Sequence, residues 1–239
     1  MTRDTHQTGA PWRNFHGRLK GKALNKAQQD YLDQDLAALS PGAVDWQSNP
    51  TRSPIDMASR FGDRPVWLEI GFGGGEHLVR MAGRYPEVQI IGCEPYINGV
   101  AMLLGKIRRL GTGNVAVHPG DVRDLFDVLP AASVARAFLL YPDPWPKKRH
   151  HKRRFVTPGH LEPLARVLAP GALFRVATDI PDYVRQTLEE VPACGFALVE
   201  HETGAENCPW PDWTRTRYEA KALREGRVPQ YLTFRRLGA

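Results

Sequence analysis

The sequence predicts an α/β protein built on a doubly wound, mostly parallel sheet with helices on both faces. Three observations carry this. Short apolar runs recur from Pro65 onward, most of them are followed by a helix-length segment, and the first handover is a glycine turn, Gly71-Phe72-Gly73-Gly74-Gly75. Strands alternating with helices need crossover connections, which make neighbouring strands parallel and put helices against both faces.

Taken in order, Met1 to Arg64 is polar and rich in Pro, Gly and Asn, with one helix-like segment around Lys26 to Leu39. Val66–Ile70 reads as the first strand and Glu76–Arg84 as its helix. Val88–Cys93 is the second strand, followed by a helix over Ile97–Leu110, and Val115–His118 a short third strand. Val134–Tyr141 is the fourth; after a helix near His160–Leu168, Leu173–Ala177 is the fifth. Phe196–Glu200 and Tyr231–Arg236 are edge-strand candidates, with loop and short helix over Cys208–Gly226 between them. The expected division is a basic, partly flexible extension over 1–64 and a sheet domain over 65–239, and 239 residues suit one core with an appendage.

Hydrophobic content of 42% and charged content of 24% are ordinary for a globular chain. The charge is local. Lys147, Lys148, Arg149, Lys152, Arg153 and Arg154 equal in number the whole net charge of +6, and a concentrated patch suits a polyanion. Cys93, Cys194 and Cys208 are unevenly spaced with no CxxC, which argues for a reducing compartment and against a disulfide frame or zinc site. No apolar run reaches membrane-spanning length and Met1–Ala10 lacks a signal-peptide core, so a cytoplasmic protein without a membrane partner is expected.

The glycine turn lies between first strand and first helix, where glycines accept positive φ and let a ligand approach the backbone. A dinucleotide fingerprint starting at Gly71 needs glycine at position 76, which is Glu76. Glu69 precedes the turn and Glu94 closes the second strand. A pyrophosphate disfavours such acids, whereas the sulfonium and ammonium of S-adenosylmethionine tolerate them. Glu94 suits ribose hydroxyls. Asp121 suits an adenine amino group or, equally, a helix cap.

The fourth strand runs into Tyr141-Pro142-Asp143-Pro144-Trp145-Pro146 and then the basic run. The prolines restrict the backbone around Asp143 and Trp145, which suggests a nucleobase pocket beside a phosphate track. Trp145 reads either as a loop anchor or as a stacking platform, and the basic run alone could be a solvated face. His150 and His151 have no second ligand pair for a metal. Thr216 and Glu219, three apart, read as a capping box or as an acid near base or cofactor. Arg13 to Lys22 is a second basic-aromatic run, either a solvated tail or an arm that orders on RNA.

These motifs together resemble the bacterial tRNA (guanine-N7-)-methyltransferases over roughly Pro65 to Leu237. The diagnostic pieces are Glu69-Ile70-Gly71-Phe72-Gly73, Gly92-Cys93-Glu94, Pro142-Asp143-Pro144-Trp145-Pro146-Lys147 with its basic tail, Thr178-Asp179 and Thr216-Arg217-Tyr218-Glu219. The resemblance implies a Rossmann-like methyltransferase sheet. It also implies methyl transfer from S-adenosyl-L-methionine to N7 of guanine 46 in the variable loop of tRNA, with S-adenosyl-L-homocysteine as product. It assigns Glu69, Gly71, Gly73, Glu94, Asp121 and Asp143 to the cofactor, Lys147, Asp179, Thr216, Arg217, Tyr218 and Glu219 to the RNA, and Asp143 to catalysis, with no metal. Pro95 and Val122 depart from the family's pattern and remove no functional side chain. Guanine N7 carries no proton, so Asp143 is expected to hold the guanine or to stabilise its developing charge. Asp143 and Asp179 together would read the guanine N1/N2 edge. The alternatives are a methyltransferase acting on another RNA or protein, or a non-catalytic RNA-binding protein; monomer and homodimer both stay open.

Overall fold

The structure, a computed structural model, is described for residues 13–238; the polar start Met1–Ala10 lies outside the described residues. Seven strands form one sheet: β1 (Val66–Ile70), β2 (Gln89–Cys93), β3 (Val115–His118), β4 (Val134–Leu140), β5 (Leu168–Thr178), β6 (Phe196–Thr203) and β7 (Gln230–Arg236). Their order is β3-β2-β1-β4-β5-β7-β6, parallel through β5, with β7 antiparallel to β5 and β6 antiparallel to β7. The doubly wound α/β expectation therefore holds.

β1, β2 and β3 are buried at every residue, as strands covered on both faces must be, and this is why they read as near-continuous apolar runs. Side chains alternate across β1: Val66, Leu68 and Ile70 join one core, Trp67 the other. The first core is closed by α5 (Val122–Val128), α6 (Pro158–Val167) and α7 (Pro181–Ala193), and the second by α3 (Glu76–Arg84) and α4 (Ile97–Leu110), with α1 (Lys26–Asp35) packed outside α4. The strand order reverses between β1 and β4, and ligands of such sheets bind in the crevice at that point.

Three helices were not legible in the pattern: α2 (Met57–Phe61), α5 and α7. α5 has seven residues, too few to display a helical period, and is started by its cap Asp121. α7 opens on Pro181 and carries Pro192 in its last turn; proline is tolerated at a helix start, where its missing N–H has no intrahelical partner. β5 begins at Leu168, earlier than expected, and its register against β4 shifts between Leu168 and Leu173. β4 stops at Leu140 because Tyr141 turns to φ 51°. The described part of the N-terminal extension is docked on the sheet domain: Tyr31 on α1 takes the Arg108 guanidinium of α4 over its ring at 5.2 Å, and the Leu39 carbonyl accepts the Val117 N–H at 2.7 Å.

Candidate active site

A cleft of about 1130 Å³ opens at the carboxyl ends of β1, β2, β3 and β4. Its floor is the glycine turn, where Gly71, Gly73 and Gly75 have φ of 71°, 57° and 75°, in the left-handed region open to glycine. The Gly71 N–H donates to the Cys93 carbonyl at 2.8 Å, tying the turn to β2. Glu94 then holds the turn from the side: Oε2 accepts the Gly73 N–H at 2.7 Å and Oε1 the Tyr96 N–H at 2.9 Å. Burial raises the Glu94 carboxyl above its ordinary range, against those two bonds, and the charge of Asp143 adds to the rise. Beneath the turn lies Gly99 on α4. A Cβ there would stand 2.2 Å from the Gly73 carbonyl oxygen, so helix and turn approach too closely for any other residue.

Asp121 is on the same cleft and is also the cap of α5, accepting the Arg123 N–H at 2.9 Å. Both sequence readings of it are therefore compatible with its position. The Arg123 guanidinium grips the same carboxylate, with Nε 3.0 Å from each oxygen. Burial works to raise the Asp121 carboxyl, but the Arg123 hydrogen bonds and charge outweigh it and hold it low.

Asp143 lines the same cleft between two non-glycine residues in the left-handed region, Tyr141 (φ 51°) and Trp145 (φ 42°). The Tyr141 N–H donates to the Ala177 carbonyl at 2.7 Å, so the chain turns off β4 while still tied to β5. Asp143 is open to the cleft, yet partial desolvation by the walls raises its carboxyl, and the charge of Arg18 acts the other way. Among the described residues no hydrogen bond holds that carboxylate.

Arg217 and Tyr218, on α8 (Arg217–Arg224), complete the rim. The Tyr218 ring stands 3.2 Å from where a Gly73 Cβ would be. The structure thus brings Gly71, Gly73, Glu94, Asp121, Asp143, Arg217 and Tyr218 to one cleft. Five expected site residues lie elsewhere. Glu69 is buried behind the turn, its Oε2 2.7 Å from His77 Nδ1, with the rings of Phe138 and Trp213 around the imidazole. Lys147 is exposed beyond the cleft wall. Asp179 pairs with Arg227. Thr216 caps α8 by accepting the Glu219 N–H at 3.1 Å, so the helix-start reading is right for half of the box. The other half is absent, because the buried Glu219 carboxylate accepts from Trp213 Nε1 and the Tyr231 hydroxyl, both at 2.8 Å.

The basic run is not one continuous surface. Lys147, Lys148, Arg149 and Lys152 are exposed, Arg153 lies 5.0 Å from the Trp145 ring, and Arg154 is buried. The second basic-aromatic run crosses the cleft as a strap. Arg13 forks onto Asp124 and Asp127, both at 2.8 Å, and the Asn14 carbonyl accepts from Arg123. The Leu19 carbonyl accepts the Ile97 N–H, and the Asn98 side chain bridges Gly21 N–H and Lys22 carbonyl. Arg123, Gly99 and Tyr96 are site residues that the sequence did not flag, and Arg18 and Arg154 entered it only as members of the two basic runs. Of the first three, only Gly99, a glycine inside a helix-length run, left a signal there. Among the described residues no cluster of three or more His, Cys, Asp or Glu is placed to hold a metal, and no helix is long and apolar enough to cross a membrane.

A family model described as "Putative methyltransferase" matches residues 63–231. The tRNA (guanine-N(7)-)-methyltransferase of Ruegeria pomeroyi is 71% identical over 227 residues, 95% of this chain and 96% of that protein. That of Roseobacter denitrificans is 69% identical over 94% of this chain and 96% of the relative. Among solved structures, an antibiotic-related methyltransferase superposes with TM-score 0.56 at 18% identity over 78% of this chain and 98% of its own. The 16S rRNA methyltransferase KamB does so with TM-score 0.55 at 17% identity over 73% and 88%.

Proposed function

Given that the chain belongs to the tRNA (guanine-N(7)-)-methyltransferase family, we propose that it transfers a methyl group from S-adenosyl-L-methionine to N7 of guanine 46 in the variable loop of tRNA, in the cytoplasm. The observation that carries the reading is the cleft itself. A glycine floor braced by Glu94 shares the cleft with an Asp143 carboxylate that no hydrogen bond holds among the described residues, with exposed cations beginning four residues further on.

The cleft suits this donor on a structural ground: a Cβ at Gly71 would meet nothing within 4 Å, so the backbone is open to a ligand there. Glu94 gives one lone pair on each oxygen to the backbone and keeps the others for ribose hydroxyls. Asp121, still gripped by Arg123, offers its remaining acceptor capacity to an adenine amino group. When bound, the donor supplies a methyl group on a positively charged sulfur. The protein's own task is alignment, because N7 presents a bare lone pair and needs no base. Orientation alone contributes up to roughly 7–11 kcal/mol in favourable cases. Asp143 holds the guanine and stabilises the positive charge that appears on it. Arg217 and Tyr218 meet the RNA from the rim and Lys147 from the outer side of the loop. Thr216, Glu219, Asp179 and Glu69 hold the segments that carry the site.

The direct test is transfer of labelled methyl to unmodified tRNA with the product base mapped; label at guanine 46 N7 is expected, and none on tRNA rejects the reading. Affinity for tRNA should fall with salt by about 0.9 log units per log salt for each duplex phosphate contacted. Removing residues 1–24 should make that slope shallower, since it removes Arg13, Arg18, Lys20 and Lys22. An unchanged slope in a salt titration of the truncated chain would exclude RNA contact by the strap.

A further inference from the structure

The basic run ends on a residue that RNA cannot reach. The Arg154 side chain is 0% exposed, an expensive place for a charge unless every donor is used. Its Nε donates to the Pro144 carbonyl at 2.9 Å and Nη2 to the Trp145 carbonyl at 3.4 Å. On the other side Nη1 meets Asp182 Oδ2 at 2.9 Å and Gln186 Oε1 at 3.0 Å, both on α7. The Gln186 amide in turn donates to the Val156 carbonyl at 2.9 Å, which fixes its oxygen toward the guanidinium. The Tyr183 ring lies 5.2 Å away.

The clamped carbonyls follow Asp143 directly, in a loop that enters and leaves through positive φ at Tyr141 and Trp145. Non-glycine residues persist there only when the surroundings hold them. The Asp143 carboxylate stays free for substrate among the described residues, so its aim comes from its backbone. We propose that Arg154 is a positioning residue of the methyl-transfer reaction: a buried guanidinium fork that locks the Asp143–Trp145 loop to α7, and not a phosphate contact. The planar fork serves three directions at once, which an ammonium cannot reproduce. The proposal rests on Asp143 being the group that meets guanine.

The experiment compares wild type with Arg154→Lys, and with Asp182→Ala as a second variant at a half-exposed position. It reads kcat, tRNA affinity across salt, thermal midpoint and amide hydrogen exchange at Tyr141, Asp143, Trp145 and Lys147. Arg154→Lys should lower kcat by about tenfold or more, since small misplacements at a reacting centre cost up to ~100-fold. The salt slope should stay unchanged and exchange in the loop should quicken; Asp182→Ala should give the same pattern more weakly. A slope shallower by about 0.9 with kcat intact would make Arg154 a phosphate contact and overturn the proposal. A lowered thermal midpoint with unchanged kcat and unchanged loop exchange would overturn it as merely structural. If wild type does not methylate tRNA, the functional reading fails, while the exchange data still decide whether Arg154 clamps the loop.

Discussion

Asp143→Ala is expected to reduce kcat for tRNA methylation by about 100-fold or more, the order seen when one preorganised electrostatic group is removed from a reacting centre. Folding should be nearly unaffected, because the side chain is open to the cleft and no hydrogen bond among the described residues depends on it. Its pH behaviour follows from the raised carboxyl. If the charged form serves the proposed catalysis, kcat should climb with pH through a titration above the ordinary carboxylate range, and Asp143→Asn should remove that limb. The stability effect has the opposite sign. A carboxyl raised by folding contributes stability at low pH that is lost as pH rises through its folded value. Asp143→Asn should therefore be neutral or slightly stabilising at neutral pH. Single-turnover rates across pH, with denaturant midpoints, check both; a variant retaining wild-type kcat would remove Asp143 from the centre of the mechanism.

Gly99→Ala is the second large effect, and the direction opposes intrinsic propensity. Alanine inside a helix is favoured over glycine by about 1 kcal/mol, so an unconstrained position would gain stability. Here the new methyl would sit 2.2 Å from the Gly73 carbonyl oxygen and 3.4 Å from Glu94 Cγ. Backbone must move, at a cost typically near 1–3 kcal/mol for overpacking, and what moves is the glycine turn proposed to floor the cofactor site. S-adenosylmethionine affinity should drop by about tenfold or more, with a lower thermal midpoint. Calorimetric titration and a melting curve decide it; a stabilised variant with unchanged affinity would show that α4 and the turn are not locked together.

How much was legible beforehand depended on the range of the forces involved. β1 to β3 were readable because strands buried on both faces favour near-continuous apolar runs. The glycine turn and the loop around Asp143 were readable because glycine and proline act on their own and adjacent torsions. α5 and α7 were not, since seven residues show no period and prolines at both ends of α7 resemble loop. Thr216 announced a helix start, but no local rule sends the Glu219 carboxylate to Trp213 and Tyr231.

The sequence by itself thus determined the fold class, the glycine floor, the acids at strand ends and a proline-bounded Asp143, all through interactions spanning a few residues. Only the tertiary structure decided which of those charges meet solvent. Glu69 reads like the other strand-end acids and Arg154 like the rest of its basic run, yet one is closed over by His77 and the other by Asp182 and Gln186. The physical reason is desolvation: a charge changes role when distant segments bury it, and the segments that bury Arg154 lie about thirty residues further along the chain.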